Sequence, residues 1–293
     1  MPGGPRVAVL PGDGIGPEVI ERALGELPSG VETVRIDAGA QRYLRTGEVL
    51  TVEDMAEIGR SDALLLGAVG DPRVEDGVLE RGIILELRRK LDLYVNLRPF
   101  PDLGIVFVRE NTEGSYAGVG ERTGDTAVEH SVNTVGAVER CARYAFRLAE
   151  RRSSRLTWVH KTNVMTVAGG LWREVVQRVS ADHPSVSVGY EHADACAYHL
   201  VREPSRYDVI LTDNLFGDLL SDLAAGVGGG LGKAASANLH PDTRSRPSRC
   251  MGLFEPVHGS APDIAGRGIA DPTAAVEAAR MMTAALHEEA LTG

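Results

Sequence analysis

The amino-acid sequence predicts an α/β protein with a mostly parallel or mixed sheet that is flanked by helices. Short apolar runs alternate with amphipathic stretches along nearly all of the 293 residues, and this alternation is typical of βαβ units. Strands are predicted at 6–10, 31–36, 63–67, 105–108, 155–160, 185–190 and 207–212. Helices are predicted from Pro17, at 51–60, 83–93, 135–150, 171–180 and 193–202, from about 217, and at 272–290.

Local signals support several of these elements. Pro17 and Glu18 follow a glycine-rich turn, and both residue types favour the first turn of a helix. Thr51 precedes two acidic residues and is a typical N-cap for the helix 51–60. Apolar residues recur at helical spacing over 83–93. The segment 117–134 shows no regular pattern, apart from a strand-like alternation near its end.

The composition bounds the class of protein. Hydrophobic residues make up 43% and charged residues 25% of the chain, as in ordinary globular proteins. The net charge of −10 argues against nucleic acid or an anionic membrane as the main partner. No apolar run approaches the roughly 20 residues of a membrane helix, and the first residues predict no signal peptide. The widely spaced Cys141, Cys196 and Cys250 suggest reduced thiols and a cytoplasmic location.

The N-terminal strand, glycine turn and helix could be taken for a dinucleotide-binding Rossmann unit. Asp37 lies 21 residues after Gly16, near the spacing of a ribose-binding acid. The turn, however, carries Gly12, Gly14 and Gly16 in the pattern Gly-x-Gly-x-Gly, which lacks the spacing of the fingerprint. The sequence therefore favours a different fold.

Three arginines lie in distinctive strings. Arg88 and Arg98 flank Leu-Asp-Leu-Tyr, and Arg109 follows the apolar run 105–108. A single arginine is most often a solvated charge, but a guanidinium group can also bind a carboxylate through two parallel hydrogen bonds. If the three converge, they suit a substrate with several carboxylates.

Two further strings indicate metal and proton chemistry. Asp218 and Asp222 are four residues apart on a predicted helix, so their carboxylates share one face and would repel each other without a cation. Oxygen ligands favour Mg²⁺ or Mn²⁺ over zinc. Tyr116 ends the string Asn-Thr-Glu-Gly-Ser-Tyr, and Lys161 lies in His-Lys-Thr-Asn. A lysine next to other cations is a suitable base near neutral pH.

Together these strings resemble the β-decarboxylating dehydrogenases of the isocitrate, isopropylmalate and homoisocitrate group, over nearly the whole chain. The resemblance implies an isopropylmalate-dehydrogenase-like fold, not a Rossmann fold, with two subdomains and an active-site cleft between them. The expected cofactor-side subdomain is 1–93 plus 229–293. The expected substrate, metal and dimerisation subdomain is 94–228, with an arm at about 117–134 that clasps the partner of a homodimer.

The resemblance also implies residue roles. Lys161 would take the hydroxyl proton of a small polyacid substrate, and Tyr116 would protonate the enolate. Asp194 would be the third metal ligand, and both it and Lys161 would come from the neighbouring subunit. The metal would polarise the substrate hydroxyl and then stabilise the enolate.

The cofactor implied by the resemblance is NAD. The string from Phe254 to Gly266 would wrap the adenosine, and Asp263 would accept hydrogen bonds from the ribose hydroxyls and repel the 2′-phosphate of NADP. The expected cofactor-binding residues are Asn163, His258, Gly259, Ser260, Ala261, Asp263, Ile264 and Asp271.

The helix before Arg88 is expected to select the substrate, a 3-substituted malate. Ile84 and Leu85 are similar to the apolar pocket of isopropylmalate enzymes, whereas Arg81 stands where those carry glutamate and could meet an additional anionic group. Other strings favour the isocitrate and homoisocitrate side. Two alternatives remain: a tartrate- or malate-type dehydrogenase without obligatory decarboxylation, and a catalytically inactive regulatory homologue. The connection from Arg98 to Arg109 and the C-terminal end are both short for this family.

Overall fold

The computed structural model of the chain describes residues 4–292. The chain divides into two compact units, Met1–Leu93 with Leu231–Gly293, and Tyr94–Gly230. Its strands are β1 (Arg6–Gly12), β2 (Glu32–Arg35), β3 (Ala63–Ala68), β4 (Val95–Phe100), β5 (Ile105–Glu110), β6 (Gly120–Thr123), β7 (Thr126–Glu129), β8 (Arg155–His160), β9 (Ser187–His192), β10 (Val209–Thr212), β11 (Ala235–Leu239) and β12 (Gly252–Pro256). Its helices are α1 (Gly16–Leu24), α2 (Ala40–Thr46), α3 (Val52–Arg60), α4 (Glu86–Lys90), α5 (Val135–Glu150), α6 (Thr166–Ala181), α7 (Ala193–Arg202), α8 (Asn214–Val227) and α9 (Thr273–Thr292).

The first unit, which comprises both chain ends, contains the strand order β2-β1-β3-β12-β11. Neighbouring strands are parallel except for β12 and β11, which are antiparallel. All six residues of β3 are buried, which explains why its sequence is a continuous apolar run and not an alternating one. Helices α1 and α9 pack against each other and against β3.

The second unit contains the strand order β4-β5-β10-β8-β9. Strand β4 is antiparallel to β5, and the remaining neighbours are parallel. Because β5, β10 and β8 run in the same direction, their carboxyl ends lie at one edge of the sheet, which is where α/β proteins place their ligands. Arg109, Asp213 and Lys161 lie at or directly after these three ends.

The segment 117–134 is more regular than its sequence suggests. Strands β6 and β7 form an antiparallel hairpin, and its turn contains Gly124 with φ of +60°. An isolated bridge between Gly114 and Val132 joins the two ends of the segment. Every residue of β6 and β7 is exposed.

Three predicted helix boundaries are wrong. The helix expected at 171–180 begins earlier, at Thr166. The helix expected from about 217 begins at Asn214, because the Asp213 side chain accepts a hydrogen bond from Phe216 N at 2.8 Å and caps it. The helix expected at 83–93 consists of a π-helical turn, Glu80–Leu85, followed by α4. Strands β4, β11 and β12 and helix α2 lie in segments for which the sequence predicted no regular element.

In residues 4–292, none of the helices has both the length and the apolar character that a bilayer crossing requires.

Candidate active site

A cluster in the second unit centres on the carboxylate of Asp218. Its Oδ1 accepts hydrogen bonds from Arg98 Nη2 at 3.1 Å and from Arg109 Nη1 at 2.5 Å. Its Oδ2 accepts one from the Tyr116 hydroxyl at 2.8 Å. Asp222 joins through a hydrogen bond of 2.8 Å from Arg98 Nη1. These five residues are called the arginine–aspartate cluster below, and all five had been predicted as site residues.

Asparagine and serine side chains fix the orientation of the two guanidinium groups. Asn214 Oδ1 accepts from Arg109 Nε at 3.0 Å and Nη2 at 2.7 Å, and Asn96 Oδ1 accepts from Arg98 Nε at 2.9 Å. Ser221 Oγ accepts from Arg98 Nη1 at 2.9 Å. Both arginines are buried, so this bonding holds them in a single orientation.

Helix α8 can approach Arg109 only because it carries a glycine. A Cβ atom added to Gly217 would lie 2.6 Å from Cγ of Arg109, which is closer than real carbon atoms approach. The glycine therefore allows α8 to lie directly against the arginine and to bring Asp218, the next residue, within hydrogen-bonding distance.

The two carboxylates of α8 fit a divalent cation chemically. Burial raises the pKa of Asp222, and the positive charge of Arg98 opposes this shift. The arginines neutralise both aspartates in this arrangement, and a bound Mg²⁺ or Mn²⁺ would do so with the oxygen ligands that these ions prefer. In the described part of the chain, no group of three or more His, Cys, Asp or Glu residues has the geometry of a metal site.

Lys161 and Asp194 form a separate pair. Lys161 Nζ donates to Asp194 Oδ1 at 2.5 Å, and this bond lowers the pKa of the Asp194 carboxyl. Asp194 stands in the first turn of α7, and its side chain is 69% exposed. The structure thus brings the predicted third metal ligand to the predicted base, and the pair faces outward. Asn163, expected near the nicotinamide ribose, is exposed in the turn after Lys161.

The remaining predicted substrate residues lie in the first unit. Arg88 is buried, and its Nη2 lies 3.5 Å from Glu255 Oε1. Arg81 is exposed, and its Nε donates to the backbone carbonyl of Gly77 at 3.2 Å. Ile84 and Leu85 are half-buried in the π-helical turn, where Ile84 packs against the core of this unit.

The predicted cofactor string forms a loop, residues 257–271, between β12 and α9. It is called the C-terminal loop below. Backbone groups hold its first part: Val257 N donates to Ala234 O at 2.9 Å, and Ser260 O accepts from Ile15 N at 2.8 Å. Ala261 adopts a left-handed φ of +38°. Gly259 and Asp263 are exposed, and His258 and Ile264 are half-buried.

Asp271 has a structural role at the end of this loop. Its Oδ1 accepts hydrogen bonds from the backbone nitrogen of Thr273 at 3.0 Å and from the hydroxyl of Thr273 at 2.6 Å. These bonds lower the pKa of Asp271 and satisfy a donor at the start of α9.

The C-terminal loop also explains the glycines of the N-terminal turn. A Cβ on Gly14 would lie 2.0 Å from Ser260 O, so only glycine allows this approach. Asp13 is buried, and its carboxylate accepts from Ala40 N at 2.7 Å and Gly70 N at 3.0 Å. The turn is therefore packed against its own protein and is not shaped as a phosphate cradle.

Sequence reasoning missed several residues that hold the site. Asn96 lies between Arg88 and Arg98, and Asn214 and Ser221 lie within four residues of Asp218, but the sequence analysis gives these three residues no role. The alternation of a strand could have signalled Asn96, because residues two apart share a face with Arg98. Glu255 lies in the predicted cofactor string, but nothing in the sequence indicates its contact with Arg88, which stands 167 positions earlier.

Comparison with known proteins places these observations in a family. The family profile described as isocitrate/isopropylmalate dehydrogenase matches residues 6–291. A 3-isopropylmalate dehydrogenase of Corynebacterium urealyticum is 52% identical over an alignment of 307 positions, which spans 97% of this chain and 89% of that protein.

Solved structures of similar fold are dehydrogenases of the same kind. An isocitrate dehydrogenase from Methylococcus capsulatus matches with a TM-score of 0.87 and 35% identity, over 97% of this chain and 86% of that one. A beta-decarboxylating dehydrogenase from Thermococcus kodakarensis matches with a TM-score of 0.79 and 41% identity, over 99% and 89% of the two chains.

Fold and sequence together define a decarboxylating oxidoreductase that acts on a CH–OH group. The chain belongs to the isocitrate/isopropylmalate dehydrogenase family. The predicted family, fold class and enzyme class are thereby confirmed.

Proposed function

We propose that this chain catalyses the NAD-dependent, Mg²⁺- or Mn²⁺-dependent oxidative decarboxylation of 3-isopropylmalate to a 2-oxo acid and CO₂. The observation that carries the proposal is the shared carboxylate of Asp218, which accepts hydrogen bonds from Arg98, Arg109 and Tyr116. Two buried guanidinium groups, a phenolic hydroxyl and a carboxylate within hydrogen-bonding distance suit a metal-bound polyacid.

Asp218 and Asp222 would hold the cation, with Asp194 as a third ligand. When bound, the metal supplies a positive charge that makes the substrate hydroxyl more acidic and stabilises the enolate. With a cation held by Asp218 and Asp222, the guanidinium groups of Arg98 and Arg109 would be available to the substrate carboxylates. Arg88 would bind a further carboxylate group.

Proton transfer falls to the two remaining polar groups. Lys161 would take the proton from the substrate hydroxyl, and the Tyr116 hydroxyl would deliver one to the enolate carbon. Arg109 lies over the Tyr116 ring, with its guanidinium carbon 5.0 Å from the ring centre, and holds the ring beside the cluster.

NAD is the expected hydride acceptor, and the C-terminal loop fits its adenosine half. The exposed carboxylate of Asp263 is suited to ribose hydroxyls and would repel a 2′-phosphate. The backbone of Gly259 to Ala261 is held from behind by the N-terminal turn. This support leaves the outer side of the loop for the nucleotide, together with His258 and Ile264.

Substrate choice rests on the π-helical turn. Ile84 and Leu85 offer apolar surface, as an isopropyl group requires. Arg81 bonds to its own turn through Gly77 O, which argues against a role in binding an anionic substituent. The relatives named 3-isopropylmalate dehydrogenase favour the same substrate.

The outward-facing Lys161–Asp194 pair supports a homodimer with shared sites, because Asp194 bonds to Lys161 and not to the arginine–aspartate cluster. We propose that each chain donates this pair to the site of a second copy, and that the exposed hairpin β6–β7 clasps that copy. A hollow of about 340 Å³ near the start of α6 supports this arrangement. It is lined by apolar side chains such as Val164 and Val167, which are 68% and 89% exposed. A cytoplasmic location stays a prediction, consistent with three buried free cysteines.

The test is an assay of NADH formation with Mn²⁺ on 3-isopropylmalate, isocitrate, homoisocitrate, malate and tartrate, with CO₂ measured in parallel. We expect the highest kcat/KM on 3-isopropylmalate and one CO₂ for each NADH. NADH without CO₂ would indicate the tartrate- or malate-type alternative, and no turnover of any substrate would indicate the inactive homologue. Arg81→Ala should reduce turnover of isocitrate and 3-isopropylmalate alike by less than about threefold, since its loss removes only a surface contact.

The second candidate substrate is isocitrate. It is favoured by the structural match to an isocitrate dehydrogenase. The substituent of isocitrate carries an additional carboxylate, and the half-buried apolar Leu85 offers that group no hydrogen bond. The same assay distinguishes the two substrates.

A further inference from the structure

The hydroxyl of Tyr190 makes polar contacts on both sides of Lys161. It donates to His160 O at 3.2 Å, accepts from Thr162 N at 3.2 Å and lies 2.8 Å from Thr162 Oγ1. It also lies 2.7 Å from His192 Nδ1. A phenol has one proton to donate and two lone pairs, so these neighbours use all of its hydrogen-bonding capacity.

The sheet register brings these groups together. Strands β8 and β9 are parallel neighbours, with Trp158 opposite Tyr190 and His160 opposite His192. Residues two apart share a face of a strand, so Tyr190 and His192 lie side by side. The Tyr190 ring packs on Trp158 with ring centres 4.3 Å apart, which directs its hydroxyl toward the end of β8.

These contacts and the turn that follows hold the backbone of Lys161 in place. Its own carbonyl accepts from Val164 N at 3.0 Å and Met165 N at 2.8 Å. Thr162 is held in addition by Arg173, whose Nη2 donates to its hydroxyl at 3.2 Å. With the backbone held on both sides, the lysine side chain extends to Asp194, and its Nζ is 2.5 Å from the Asp194 Oδ1 atom.

We propose that Tyr190 is the positioning residue of the donated half-site: its hydroxyl locks the backbone around Lys161 and thereby aims the lysine and its partner Asp194. This inference rests on the proposed function for its catalytic consequence but not for its structural one. The contacts run through the backbone of the lysine, so loss of the hydroxyl should displace the amine without removing any group that touches the substrate. Small displacements of a reacting group are enough to lower a rate severalfold.

The test uses Tyr190→Phe, which keeps the ring on Trp158, and Tyr207→Phe as the matched control. Tyr207 also lies in the second unit and also donates its hydroxyl to a side chain, that of Glu191, but it has no hydrogen bond to residues 160–162. We expect Tyr190→Phe to lower kcat on 3-isopropylmalate about tenfold with KM changed less than about threefold. Tyr207→Phe should leave both constants near wild type.

A second readout does not depend on turnover. The chain has three lysines, Lys90, Lys161 and Lys233, so acetylation by acetic anhydride at fixed pH can be followed for each by peptide mass spectrometry. In Tyr190→Phe, Lys161 should react severalfold faster relative to Lys90 and Lys233 than in wild type, because its bond to Asp194 is loosened. Tyr207→Phe should leave the ratio unchanged.

Thr162→Val and Thr162→Ser provide a second pair, in case the first variant folds poorly. The valine removes the hydroxyl that contacts Tyr190, and the serine keeps it. The proposal predicts that Lys161 is acetylated faster in Thr162→Val than in wild type. In Thr162→Ser the acetylation rate should be that of wild type. Unchanged acetylation in both Tyr190→Phe and Thr162→Val would overturn it, even if kcat fell. If wild type turns over none of the substrates, the proposed function fails, and the acetylation ratio alone decides the positioning role.

Discussion

Side chains hold the arginine–aspartate cluster together, whereas backbone groups hold the C-terminal loop. In the cluster, one carboxylate oxygen of Asp218 accepts from two guanidinium groups, and both guanidinium groups are buried. In the loop, the bonds at Val257 and Ser260 use main-chain atoms, and the exposed Asp263 side chain projects outward.

This contrast separates two kinds of sequence constraint. In the cluster, the chemical identity of each residue matters, because a substitution leaves a buried charge without its partner. In the loop, shape matters first, because backbone bonds survive most substitutions but not an added Cβ at a close approach. Substitutions in the two regions should therefore fail in different ways.

The largest effect is expected in the cluster, from Asp218→Asn. The amide is isosteric but has no charge for the cation or for Arg98 and Arg109, so kcat should fall on the order of a thousandfold. Mn²⁺ affinity, followed by electron paramagnetic resonance, should fall with it. Asp102→Asn, at an exposed acid of the same unit, is the control and should behave as wild type. More than a tenth of wild-type activity in Asp218→Asn would contradict the assigned centre.

Next to the cluster, His160 and Asp213 should give opposite pH dependences of stability. His160 is fully buried, and burial lowers its pKa to about 4. Its neutral form therefore stabilises the fold fully above pH 6.5, and up to about 3 kcal/mol is lost as the pH falls toward 4. Burial raises the pKa of Asp213 to about 6, so its contribution is complete below pH 3.8 and is lost as the pH rises through 6.

The two effects should nearly cancel in the wild type between pH 4 and 6.5, and single variants should separate them. In His160→Phe the free energy of unfolding should fall as the pH rises through this range. In Asp213→Asn, which keeps an N-cap for α8, it should fall as the pH decreases. Urea unfolding at several pH values measures both slopes. If the free energy of unfolding changed with pH in the same direction in both variants, His160 and Asp213 would not titrate as their burial requires.

The sequence predicted the residues of the arginine–aspartate cluster better than it predicted the strands and helices on which they lie. Asn96, Arg98 and Pro99 lie in β4, and the two polar side chains are buried. A strand of this kind shows no apolar run, so hydrophobic periodicity could not find it, as is expected where function places polar groups inside. Strand alternation likewise cannot reveal that the Tyr190 hydroxyl reaches Thr162, in the turn after the neighbouring strand β8, because that contact depends on the register of β8 and β9.

Gly14→Ala tests whether the N-terminal turn supports the shape of the C-terminal loop, and Gly47→Ala is its matched control. Both glycines have positive φ, of +56° and +75°, but a Cβ on Gly47 meets nothing within 4 Å, whereas one on Gly14 overlaps Ser260 O. Both variants pay about 1 kcal/mol for the left-handed backbone. Gly14→Ala should lose about 2 kcal/mol more in urea unfolding and should bind NAD more weakly. Equal losses would mean that the turn does not support the loop.

The smallest effect should come from the outward-facing side chain of this loop. Asp263→Arg replaces a carboxylate suited to ribose hydroxyls with a guanidinium group that can bind a 2′-phosphate, so the ratio of kcat/KM for NADP over NAD should rise by about tenfold or more. Asp37→Arg is the matched control, because Asp37 is also exposed, with 83% of its side chain accessible, and is the acid that a Rossmann unit would use. If Asp37→Arg shifts the preference and Asp263→Arg does not, the adenosine ribose binds at the N-terminal turn and not at the C-terminal loop. A shift confined to Asp263→Arg assigns the ribose to the loop, where single exposed side chains tune cofactor choice while the backbone keeps the shape.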